Sequence, residues 1–91
     1  MKKYRETKAR KIYARFNENV RDSIDACICL YAQGIAAADE KRTTTWQSRI
    51  AGMLDCLRGL GIISIREMML VNEYAIHQAH NKADEMKKGV A

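Results

Sequence analysis

Apolar residues recur every three or four positions through most of this chain and nowhere alternate with period two, a pattern that predicts helices and no strands. From Lys3 to about Gln33, the positions Ile12, Tyr13, Phe16, Val20, Ile24, Cys27, Leu30 and Tyr31 form one stripe, as a single long amphipathic helix requires. Gly34 is its first stop signal, although the helix-tolerant stretch Ile35 to Ala38 allows continuation toward Arg42. Thr44 with Gln47 reads as a capping box that opens a second helix, whose stripe is Trp46, Ile50, Met53, Leu54 and Leu57. That helix ends at Gly59 or Gly61, where Gly-Leu-Gly supplies the left-handed backbone of a C-cap and Arg58 suits the local dipole. Ser64 and Glu67 make another capping box, from which a third helix runs to about Lys88.

The third helix has three kinds of surface. Projected at about 100° per residue, Ile65, Met68, Met69, Ile76, Ala79, Ala83 and Met86 form the expected core face. Beside them run Glu73, His77, His80 and Asp84, while Leu70, Val71 and Tyr74 point away and offer a patch for a protein partner. Asn72, near the middle of the apolar face, reads as a residue that sets register between helices.

At 1.5 Å per residue the three helices would measure roughly 45, 24 and 37 Å, and short connections make successive helices antiparallel neighbours. The expected fold is therefore an all-α, three-helix antiparallel bundle with a long first helix. In that arrangement nothing within the chain covers Ile12, Tyr13 and Phe16, whose burial would contribute roughly 1.5–3 kcal/mol each. A second copy covering them, in an intertwined homodimer, completes the expectation.

Composition narrows the class further. Ninety-one residues make a single domain, 1–91, with no proline and 47% apolar residues. The longest run without charge, between Asp25 and Asp39, is too short for a membrane span, and the charged N-terminus does not resemble a secretory leader. Neither a membrane partner nor export is expected. Three cysteines cannot all pair, and no CxxC spacing is present, which points to reduced thiols in a cytoplasmic protein.

Charge changes the picture most. The first sixteen residues hold Lys2, Lys3, Arg5, Lys8, Arg10, Lys11 and Arg15 against Glu6 alone, a net +6, while the other seventy-five residues net −1. On a helix Tyr4, Lys8, Lys11 and Arg15 share one outward stripe. Like charges one turn apart repel, and cations near a helix N-terminus oppose the macrodipole, so the arm is locally unfavourable until an anion binds it. A nucleic-acid phosphate backbone would remove both penalties, with Tyr4 free to stack on a base. The expected nucleic-acid contacts are Lys3, Tyr4, Lys8, Arg10, Lys11 and Arg15, in a basic N-terminal helical arm spanning residues 1–16.

Other chemistries fit less well. Glu73, His77, His80 and Asp84 have the four, three, four spacing of metal ligands on one helix, but a single helix rarely closes a metal shell, so no metal or other cofactor is expected. No nucleophile stands beside a base and no glycine-rich phosphate loop appears, so no catalysis is expected. The Gly59 to Ser64 turn is a poor helix-turn-helix, because the first turns of the helix behind it carry Ile65, Arg66, Glu67, Met68 and Met69, a single arginine among apolar and acidic residues where base-reading polar groups belong. Three functions follow, in this order: a small regulatory or accessory protein that contacts nucleic acid, an interaction or inhibitor module that docks on a host protein or nucleoprotein, and, last, a metal-binding helical bundle that would use Glu73, His77, His80 and Asp84.

Overall fold

The computed structural model describes residues 1–89. Four helices follow one another, α1 (Lys3–Ala14), α2 (Glu18–Ala36), α3 (Glu40–Gly59) and α4 (Ile65–Gly89), and no strand occurs among the described residues. The all-α class holds, but the long first helix is two helices. Asn17 begins α2 afresh, its side chain accepting the Asn19 backbone N–H at 2.8 Å, with Glu18 in the first turn. The apolar spacing runs straight through this corner because Phe16, inside it, is itself buried.

The break lets α1 fold onto α4. Ala9, Ile12 and Phe16 are buried, and the Tyr13 ring lies 6.2 Å from that of Tyr74. Ile12, Tyr13 and Phe16 are therefore covered by their own chain rather than left for a second copy, and the length mismatch that called for an intertwined dimer disappears. Helices α2, α3 and α4 pack on one another around Ile24, Ile50, Leu54 and Val71, while α1 packs chiefly on α4.

Both ends of the α2–α3 connection also differ from the pattern's prediction. Gly34 lies inside α2, which ends at Ala36, and Asp39 caps α3 by accepting the Arg42 backbone N–H at 3.1 Å. The three threonines sit within α3, where the Thr43 and Thr45 hydroxyls donate to the Asp39 and Lys41 carbonyls at 2.8 and 2.9 Å. Thr44 thus caps nothing. The end of α3 and the start of α4 are as expected: Gly61 has φ 76°, the Ser64 N–H donates to Glu67 Oε1 at 3.0 Å, and the Glu67 N–H donates to Ser64 Oγ at 3.1 Å.

The face that α4 buries is rotated from the expected one. Val71, Ala75, Ala79 and Ala83 are buried along a four-residue row, and Leu70 is buried too, whereas Ile65 and Met69 are 59% and 64% exposed. Each four-residue step turns the row by about 40°, so over a long helix the buried seam winds around the axis. A single face averaged over the whole of α4 matches its C-terminal half and misplaces its N-terminal half. Asn72 differs as well: its Oδ1 is buried without a hydrogen-bond partner, so the interhelical bond of a register-setting Asn is not made there. No helix of the described residues is long and apolar enough to cross a membrane.

Candidate nucleic-acid interface

Helix α1 starts with no side-chain cap: Lys2 is the N-cap residue, and Lys3 and Arg5 follow in the first turn. Its cations divide by residue type. The arginines are tied down. Arg5 Nη2 donates to Glu73 Oε2 at 2.6 Å, Arg15 Nη2 to Glu67 Oε2 at 2.6 Å, and Arg10 Nη2 to Glu6 Oε1 at 2.8 Å. Two of these pairs join α1 to α4, and the planar guanidinium suits such fixed contacts better than an ammonium does. The Glu73 bond and charge raise the Arg5 pKa. Glu67 is held below the usual carboxylate range, chiefly by the Ser64 backbone N–H and then by the hydrogen bond from Arg15.

The lysines are not tied. Lys2, Lys3, Lys8 and Lys11 are exposed and have no acidic partner at ion-pair distance among the described residues. Tyr4 is 68% exposed beside them. Of the six residues expected to contact nucleic acid, Lys3, Tyr4, Lys8 and Lys11 stand free on the surface, while Arg10 and Arg15 are engaged in ion pairs.

A groove of about 300 Å³ opens where α1 meets α4, lined by Tyr4, Arg5, Lys8, Arg66, Met69 and Leu70. It adds Arg66, which the apolar and acidic character of its neighbours had discounted. An aromatic ring, two exposed cations and the Met69 side chain on one concave surface can hold an anion and an apolar or aromatic group together.

The inner side of α1 is anchored by Tyr13. Its hydroxyl lies within hydrogen-bond reach of both the Asp25 carboxylate and the Arg21 carbonyl, and its ring packs on Phe16 with centroids 5.7 Å apart. Burial, reinforced by Asp25, pushes the phenol pKa well above its ordinary value, so the proton stays on the oxygen and the contact persists across the physiological range. Tyr13 thus ties α1 to α2 and α4 within the chain.

The remaining candidates are not brought together. Leu70 and Val71 are buried in the core and Tyr74 packs on Tyr13, so they do not form an outward docking patch. Glu73 is paired with Arg5 and the His80 ring lies edge-on to Tyr31 at 6.2 Å. Among the described residues no three His, Cys, Asp or Glu side chains gather as a metal ion would require, and the set Glu73, His77, His80 and Asp84 does not converge. Cys27 is half-buried, with its thiol pKa raised by desolvation, while Cys29 and Cys56 are exposed, and none forms a disulfide.

Two surface features escape the sequence patterns used above. Leu60, Ile62, Ile65 and Met69 are exposed at 70, 51, 59 and 64%, an apolar run over the α3–α4 turn and the start of α4. Arg49 lies over the Trp46 ring, 4.8 Å from its centroid. The i, i+3 spacing of that pair is visible in the sequence, whereas the exposure of Ile65 and Met69 depends on how the buried seam winds. Comparisons with protein-family models, curated proteins and solved structures found no match to this chain.

Proposed function

We propose that this protein is a small, non-enzymatic accessory or regulatory protein that contacts nucleic acid through the outward face of α1. The observation that carries the reading is the division of labour on that helix. Arginines dock it on α4 or brace it, leaving Lys3, Lys8 and Lys11 unpaired beside an exposed Tyr4. Lys8 and Lys11, three residues apart, repel each other, and Lys3 at the uncapped helix start opposes the dipole; phosphates relieve both penalties while releasing counterions. Phosphate contacts of this kind position a protein on a strand without reading its sequence.

The test is charge reversal with a salt titration. Binding of a labelled oligonucleotide should weaken steeply with added salt, and the triple variant Lys3→Glu, Lys8→Glu, Lys11→Glu should lower affinity by about a hundredfold or more. Affinity unchanged by that triple variant would exclude α1 as the contact surface.

A second reading rests on the apolar run Leu60, Ile62, Ile65 and Met69. Several large apolar side chains exposed within one short segment are a feature of protein interfaces, and they would serve docking on a host protein or nucleoprotein, or on a second copy in a homo-oligomer. Solution mass across a concentration series, compared with Met69→Asp, separates self-association from docking on another protein.

A further inference from the structure

The first half of α3 carries a second cationic surface, on a helix that the α1 reading does not use. Arg42, Trp46 and Arg49 fall four and three residues apart, on one side of the helix, with Lys41 adjacent. Lys41, Arg42 and Arg49 are exposed and none has an acidic partner at ion-pair distance among the described residues. The side-chain hydrogen bond that Arg42 makes, to Gln33 Oε1, is long at 3.4 Å.

Local preferences are set aside on this surface as they are on α1. Lys41 and Arg42 sit in the first turn beside Glu40 and the Asp39 cap, at the helix end where the macrodipole favours the acids and disfavours the cations. Thr44 and Thr45 are exposed, so their β-branched side chains lower helix propensity without any return from burial. Arg49, by contrast, is positioned although exposed, because its guanidinium rests over the Trp46 ring. A guanidinium held over an indole in an exposed side chain keeps N–H donors and planar surface available to a ligand. Such a pair can meet the face of an unpaired base while its N–H groups reach a phosphate. Bases in a duplex are closed within their own stack, so the geometry selects single strands.

We propose that Arg49, held over Trp46 and flanked by Lys41 and Arg42, is a base-stacking site for single-stranded nucleic acid. The proposal rests on the nucleic-acid reading above and adds to it the strand state and a second contact helix. The site's own reporter is built in, since Trp46 is the single tryptophan of the chain.

The experiment titrates the full chain with a labelled thymidine oligonucleotide and, separately, a labelled mixed-sequence duplex, following probe anisotropy and Trp46 emission together. Emission should change on binding the single strand. Arg49→Lys keeps the charge and removes the planar face, so it should weaken single-strand binding by about tenfold and abolish the emission change. Duplex binding should stay within about twofold of the unmodified protein. Single-strand binding that is lost on reversing Lys3, Lys8 and Lys11 but unmoved by Arg49→Lys, with constant Trp46 emission, overturns the stacking site and leaves the α1 reading standing. An equal loss on both probes with Arg49→Lys reduces the site to a guanidinium–phosphate contact shared by both strand states and overturns it too. The converse, a loss on Arg49→Lys with no effect of the α1 reversal, overturns the α1 reading and keeps this site, and failure of both probes to bind overturns both.

Discussion

Where α2 meets α3, the Ala38 N–H donates to the Ile35 carbonyl and the Asp39 N–H to the Gly34 carbonyl; where α3 meets α4, the Gly61 N–H donates to Arg58 and the Ile62 N–H to Leu57. Both are Schellman endings with the same pair of bonds. Their glycines occupy opposite places. The second turn has Gly61 at the left-handed residue, φ 76°, and Leu57 three residues inside the helix end, where it is buried in the core. The first has Ala38 at the left-handed residue, φ 54°, and Gly34 three residues inside. A Cβ on Gly34 would lie 2.9 Å from Thr43 Oγ1 and 3.0 Å from the Thr43 backbone nitrogen, so α3 passes too close for any side chain there. Identical backbone bonding thus makes different steric demands: one turn needs glycine for its conformation, the other for the approach of the next helix.

Substitutions at the two turns can break or sharpen that contrast. The largest effect belongs to Gly34→Val, which must push α3 away and should cost about 3 kcal/mol in chemical denaturation. A cost under about 1 kcal/mol would show that the corner yields easily. Gly61→Ala has open space around its Cβ and only the left-handed backbone against it, so about 1 kcal/mol of destabilisation is expected. Ala38→Gly relieves the same strain in the other turn, and the reduced strain outweighs the added freedom of the unfolded chain. A gain of about 0.5–1 kcal/mol should appear as a higher denaturation midpoint. Because the turns lie at opposite ends of α3, the double variant Gly61→Ala, Ala38→Gly should return close to the original stability.

These turns also mark how far the sequence could be read. Gly61 and the Ser64–Glu67 box are local signals and appear in the structure where the pattern places them. Ala38 carries no signal for a left-handed residue, so the end of α2 and the Asp39 cap were out of reach, and Thr44 drew the cap to the wrong residue. The break at Asn17 was hidden because Phe16 continues the apolar period through the corner. From that one miss came the overlong first helix and its uncovered face. At the candidate site, the excess of cations on residues 1–16 is plain in the sequence. Which of them are free is not, because the partners of Arg5 and Arg15 lie 68 and 52 residues away. No local pattern links such positions.

Those same separations set an order of assembly. Helix α1 is synthesised before the surface it docks on, around Glu67 to Tyr74, whose Glu73 and Glu67 follow their arginine partners by 68 and 52 residues. Until that surface is made, α1 is a helix of 12 residues, at the length where solitary helices barely persist in water, with only the Tyr13 contacts to α2 to hold it. Helices α2 and α3, adjacent and in extensive contact, can pair while the chain is still growing. The basic helix is therefore made well before its seat.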